Sequence, residues 1–247
     1  MIAIIIQARM GSTRLPGKIM KTLAGKPVLW HTVERCRQSQ KADQVIVAST
    51  LNLEDDAVEK FCKENKILYY RGSSENVLER YYQAAKRVEA DVIVRVTSDC
   101  PLIDPFVIDN CIGAFQKSGS DYLGNNIDPE AHTFPRGLDV EVFSFKSLEK
   151  AYRNAMEIYE KEHVTQYIWE NKKKEFKIGA SVTASPEYAR DYRFTVDYKE
   201  DFQLMEKIYN EFYKEGEIID VKKVLLFLDK HLEIVKINAH CEQKKIK

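Results

Sequence analysis

A chain of 247 residues can enclose a full hydrophobic core, and it fits one large α/β domain better than several small ones. Apolar residues at 44% and charged residues at 31% exclude wholesale disorder. Lysine plus arginine number 38, as do aspartate plus glutamate, so no net field draws the protein to nucleic acid or to an acidic membrane, and any anion site has to be local.

The five cysteines, Cys36, Cys62, Cys100, Cys111 and Cys241, are scattered and odd in number, with no C-x-x-C pair. They suggest neither a disulfide framework nor a zinc site, and a reducing cytoplasm fits. The opening MIAIIIQAR has too short an apolar run for a signal peptide, and no stretch approaches a membrane span. The first residues therefore read as structure.

Ile- and Val-rich runs at Ile2–Ile6, Gln44–Ser49, Ile67–Tyr70 and Asp91–Thr97 read as strands. Between them Val28, Leu29, Thr32, Val33 and Cys36 recur at helical spacing, as do Ala57, Val58, Phe61 and Cys62, and later Val77, Leu78, Tyr81, Ala85 and Val88. This alternation predicts βαβ units, hence a mostly parallel central sheet flanked by helices. From Ser118 the chain turns rich in Gly, Asn, Asp and Pro (SGSDYLGNNIDPEAHTFPRG), too long for a simple connection and so a site-shaping loop. LDVEVFS follows as a strand, with Leu138, Val140 and Val142 on one face and Asp139 and Glu141 on the other. A helical stretch through Leu148, Tyr152 and Ala155 runs on to EHVTQYI, then come strands at EFKIGASV and YRFTVD. Two helices end the chain, one burying Phe202, Met205, Ile208, Tyr209 and Phe212, the other capped by Asp220 and burying Val224, Leu225 and Leu228. The tail CEQKKIK reads as frayed.

A polar run leaves the carboxyl end of the first strand, where open α/β sheets gather their ligands. Gly11 and Gly17 let backbone amides approach an anion, Pro16 stiffens the bend, and Arg9, Arg14 and Lys18 can converge on phosphates. The arrangement suits a polyphosphate. It is not the G-x-x-x-x-G-K-[ST] loop, because Ile19 follows Lys18.

QARMGSTRLPGK is similar to the signature loop of the cytidylyltransferases that activate sugar acids, the CMP-sugar synthetases, and nearly the whole chain resembles their spore coat polysaccharide biosynthesis branch. RVTSDCPLIDP, RGSSENVLERY, FPRGLDVEVFS, EKEHVTQYI and YRFTVDYKEDF follow in matching order. The resemblance implies a nucleotidyltransferase sandwich of GT-A-like, Rossmann-like form, a single domain over 1–247 with a sugar-binding and possible dimerisation subregion at about 118–190. Its implied reaction takes CTP and a sugar acid to CMP-sugar and pyrophosphate. Its implied nucleotide site comprises Ala8, Arg9, Gly11, Ser12, Arg14, Lys18, Ser74, Asn76, Arg80, Thr97 and Ser98, with Arg14, Lys18 and Asp99 catalytic. Asp99 and Asp197 would hold Mg2+ as two hard oxygen ligands.

Each motif also has a plainer use. Asp99 and Asp104 can cap turns, Asn76 can start a helix, and Asp197 or Asp201 can cap one. Asp139 and Glu141 form either a solvated edge or a carboxylate wall facing sugar or metal, and Arg136 can grip a substrate carboxylate. Glu162 and His163 either bond sugar hydroxyls or serve the fold. A glycosyltransferase of the same sandwich and a non-catalytic nucleotide-binding module are the rival readings; SDC at Ser98–Cys100 is not the D-x-D pair the former usually carries.

Overall fold

The computed structural model describes residues 1–127 and 133–242. Residues 128–132, inside the loop expected to shape the site, and most of the tail read as frayed, 243–247, lie outside the described residues. The first half contains β1 (Ile2–Gln7), a hairpin of β2 (Thr22–Leu23) and β3 (Lys26–Pro27), α1 (Val28–Cys36), β4 (Gln44–Thr50), α2 (Asp56–Glu64), β5 (Leu68–Gly72), α3 (Val77–Arg87), β6 (Val92–Thr97) and α4 (Pro105–Ser118). There follow β7 (Tyr122–Gly124), β8 (Glu141–Ser144), α5 (Phe145–Asn154), α6 (Ile158–Glu162), α7 (Gln166–Glu170), α8 (Lys199–Phe212), α9 (Val221–Leu228) and α10 (Leu232–Val235).

Among the described residues the sheet has six strands in the order β5-β4-β1-β6-β8-β7. β5, β4, β1 and β6 run parallel, and β8 and β7 add an antiparallel edge. Alternation along β1 explains its unbroken apolar run: Ile4 and Ile6 enter one core, Ala3 and Ile5 the other, because a parallel strand is covered on both faces. Val33, Cys36, Val58, Ile108, Met205 and Val224 fill the first core. Leu78, Tyr81, Ala85, Leu148 and Ile168 fill the second. Ala57, counted with the inward face of α2, points outward instead.

Three expectations change. EFKIGASV and YRFTVD are not ladder strands among the described residues; they make the isolated bridges Tyr122↔Ile178 and Arg136↔Arg193 and scattered backbone bonds such as Val182 N to Gly124 O. Their neighbours are too short to propagate pairing, β7 having three residues. LDVEVFS pairs only from Glu141, since the Asn125 side chain takes Val140 N (2.8 Å) and gives to Leu138 O (2.8 Å), leaving those groups no ladder partner. The stretch from Leu148 to EHVTQYI is three helices, interrupted at Ala155 and at Val164. Val164 is fully buried at φ 45, a left-handed conformation that a β-branched residue adopts only under tertiary constraint.

His31 on α1 is buried against Tyr209, its Nε2 2.7 Å from Leu23 O. Burial lowers its pKa to about 4, Arg35 and Lys26 acting the same way against the opposing hydrogen bond. Since the unfolded chain takes up this proton below about 6.5 and the folded chain does not, stability falls as pH drops from there towards 4. Urea unfolding across that window should show a loss on the order of 3 kcal/mol that His31→Gln removes. An unaltered pH dependence in the variant would exclude the assignment.

Candidate active site

Beyond β1 the parallel pairing continues one residue, Ala8 N donating to Ala48 O at 3.0 Å. Met10 N then donates to Asp55 Oδ1 at 2.6 Å; Asp55 is fully buried and also receives the Thr50 hydroxyl, so the loop is pinned at its entry. Gly11 lies against Glu54, whose Oε1 would stand 2.7 Å from an added Cβ. Ser12 Oγ accepts from Leu15 N at 3.4 Å. Gly17, at φ 64, closes the loop through its N–H to Met10 O at 3.2 Å and delivers Lys18 into a short 3-10 turn.

Lys18 Nζ bonds Asp99 Oδ2 and also Asp197 Oδ1, the latter at 2.8 Å. Arg14 Nη2 reaches the same Asp197 Oδ1 at 2.7 Å, with its guanidinium carbon 4.8 Å from the centre of the Tyr198 ring. Two carboxylates 98 positions apart in sequence thus meet at one ammonium. Their segments are tied together by Val196 N to Asp99 O at 2.8 Å, and Asp99 leaves β6 beside Thr97, whose hydroxyl donates to Asp99 Oδ1 at 2.6 Å. Ser98 is buried, its N–H on Gln7 O and its carbonyl accepting from Thr32 Oγ1.

Burial opposes charge on both partners and loses on both. It would lower the Lys18 pKa, yet the charges of Asp99 and Asp197 raise it above the usual ammonium value. For Asp99 burial would raise the pKa, and Lys18, helped by Thr97, holds it below the ordinary carboxylate value. Lys18 and Asp99 therefore both stay ionised at neutral pH.

Behind Asp197 lies a layer that sequence reasoning saw only as a cap. Arg193 Nη2 donates to Asp197 Oδ2 at 2.8 Å and its Nε to Asp201 Oδ1 at 2.9 Å. Asp201, fully buried, also accepts from the N–H groups of Asp197 and Tyr198, each at 2.9 Å, capping α8 as anticipated. Asn238 Nδ2 donates to Asp201 Oδ1 and to Arg193 O, at 2.8 and 3.0 Å. Arg193 and Asp197 stand four apart in irregular backbone, so no periodicity marked them as partners.

The remaining candidates are distributed more widely. Arg9 is exposed and close enough to Arg80 to repel its charge. Arg80 is buried and donates to Ser73 O at 2.7 Å, shaping the loop that holds Ser74. Asn76 caps α3 through Glu79 N at 2.9 Å, and Asp104 caps α4 while accepting the Tyr188 hydroxyl at 2.8 Å. Arg136 shares backbone register with Arg193. Asp139 Oδ2 accepts from Gly137 N at 2.9 Å. The expectation that Glu141 faces a sugar is corrected: its carboxylate is buried and receives Arg95, the Tyr122 hydroxyl (2.5 Å) and the Thr165 hydroxyl (2.8 Å), so internal donors occupy both oxygens. Glu162 and His163 end α6, which packs against α3 and α7.

The charged centre lies at the carboxyl ends of β1 and β6 in a mostly parallel sheet, where open α/β folds bind their ligands. Comparison with known proteins agrees. The cytidylyltransferase family model matches residues 3–232, and the chain belongs to that family. It is 36% identical over 227 residues to the spore coat polysaccharide biosynthesis protein SpsF of Bacillus subtilis, covering 89% of this chain and 90% of that one. A cytidylyltransferase structure from Leptospira borgpetersenii superposes with a TM-score of 0.85 at 32% identity, over 99% of this chain and 98% of its own. The 3-deoxy-manno-octulosonate cytidylyltransferase of Geobacter metallireducens is 35% identical over 123 residues, about half of each chain. Membership sets the glycosyltransferase and non-catalytic readings aside: the protein is a cytidylyltransferase. No helix among the described residues is long and apolar enough to cross a membrane.

Gly137, in the FPRG turn, has φ 97, and an added Cβ would stand 2.7 Å from Phe194 C and Thr195 N. Backbone cannot yield as a flexible side chain can. Gly137→Ala should displace the segment leading to Asp197 and destabilise the protein by on the order of 2 kcal/mol or more. A melting temperature equal to the parent's would show that the close approach is not required.

Proposed function

We propose that this cytidylyltransferase joins CMP from CTP to a sugar acid of the nonulosonic type, releasing pyrophosphate, in surface polysaccharide synthesis. The observation that carries the proposal is the meeting of Arg14, Lys18, Asp99 and Asp197 at one point. The names of the spore coat and octulosonate relatives support the choice of acceptor class.

In this reaction a sugar hydroxyl oxygen attacks the α-phosphorus and gives up its proton to water; a new P–O bond forms as the bond to the bridging oxygen breaks, and pyrophosphate leaves with its electrons. The protein's work is positioning and neutralisation. Arg14 and Lys18 exchange carboxylate partners for phosphate oxygens and stabilise the leaving group, while the fixed loop offers its amides. Exposed Arg9 extends the positive surface, while buried Arg80 shapes the Ser73–Asn76 turn beside it. Arg136 would receive the sugar carboxylate.

The donor set suits magnesium. Asp99 and Asp197 present carboxylate oxygens to a single positive charge, Lys18 Nζ, the chemistry a hard divalent cation requires. When bound there, the ion would supply Lewis-acid polarisation of the phosphate. Arg193 and Asp201 would keep Asp197 oriented towards it.

Pyrophosphate release from CTP, assayed across a panel of sugar acids, should fall on the order of a hundredfold or more in Lys18→Ala and Asp99→Asn. A change below threefold in either would overturn the assignment. The metal has its own readout. Without the ammonium, Asp99 and Asp197 repel each other, so Lys18→Ala should melt below the parent in chelator and gain more from added magnesium. Equal magnesium responses in the two proteins would reject the carboxylate pair as its site.

A further inference from the structure

A second cluster of metal-ligating side chains lies on the other side of the Asp201 network. Glu200 stands in the first turn of α8, and His240 and Cys241 follow α10 in the turn that ends the described residues. Carboxylate oxygen, imidazole nitrogen and thiol sulfur all lie within 4.8 Å of one another. Ligands of one tetrahedral zinc are separated by about 3.3–3.8 Å, given bonds of about 2.0–2.3 Å, so a contraction of about 1 Å would close the set. His240 is exposed and Glu200 and Cys241 half-buried, leaving a route of entry and a place for water.

We propose that Glu200, His240 and Cys241 bind a borderline-soft divalent metal ion, zinc above all, as a clip between the final turn and α8. Sulfur and imidazole nitrogen select against magnesium and calcium, so the chain would sort two metals by ligand hardness: oxygen donors at Asp99 and Asp197, a mixed set here. Both ligand-bearing segments are anchored to the same buried carboxylate. Glu200 precedes Asp201, and Cys241 N donates at 2.9 Å to the carbonyl of Asn238, whose side chain holds Asp201. Asp201, Glu200 and Asp197 lie close enough to act on the Cys241 sulfur, partly offset by Arg193. Asp201 in turn holds Arg193 and the backbone N–H of Asp197. Closing the clip thus stiffens the support of Asp197, which makes these three residues positioning residues for the catalytic centre.

The test is a zinc titration of the full-length chain, freed of metal by chelator and kept reduced by a non-thiol reductant. Excess magnesium is present to occupy the hard carboxylate pair. One equivalent should bind, cobalt in its place should show thiolate-to-metal charge-transfer absorption, and the melting temperature should rise. Cys241→Ser and His240→Ala should each weaken zinc binding at least about tenfold and abolish or diminish the cobalt band, while Asp99→Asn leaves both unchanged. Absence of stoichiometric binding, indifference to both tail variants, or loss of binding in Asp99→Asn instead would overturn the proposal. Its failure leaves the transfer reaction untouched, because pyrophosphate release is not its readout.

Discussion

One ammonium group organises this molecule's charged centre. Lys18 joins carboxylates that arrive from the end of β6 and from the segment before α8, and without a cation between them those groups would repel at short range. The rest of the local architecture exists to make that meeting geometrically fixed. Asp55 pins the entry of the loop, Gly17 turns its exit, and the Val196–Asp99 backbone bond sets the opposite wall. The positive and negative members of the centre are thus anchored separately, from different segments of the chain.

Behind the centre, order is transmitted by a buried polar network. Arg193 binds Asp197 and Asp201, Asp201 caps α8, and Asn238 ties the last turn to both. Such a network is stable only when its members are satisfied together, since an unpaired charge at this depth costs several kcal/mol. Gly137 belongs to the same construction: the segment leading to Asp197 can approach the FPRG turn only where there is no Cβ. The glycine of the conspicuous motif in that turn is therefore accounted for by backbone clearance.

The parallel strands, the helices that cover them, and the cation loop were legible in the letters. Their signals are local: apolar runs of strand length, helical spacing of Val28 to Cys36, and glycines with Pro16 after β1. Asp220 and Asp201 were readable as caps for the same reason. Less legible was the second half of the chain, where the expected strands at EFKIGASV and YRFTVD and the continuous helix from Leu148 dissolved into short pieces. There a side chain from elsewhere, such as Asn125 on Val140, decides whether a backbone group enters a ladder.

The sequence by itself determined the fold class and which residues carry charge to the carboxyl edge of the sheet, because strand burial and loop chemistry are written within a few neighbouring positions. Only the tertiary structure decided which of those charges meet. Asp139 and Glu141, two apart and alike on paper, separate completely once Arg95, Tyr122 and Thr165 close around Glu141. Asp99 and Asp197, remote along the chain, come together on Lys18, and Glu200 comes to lie beside His240 and Cys241. Electrostatic interaction depends on distance in space, and the packing of a whole core sets that distance.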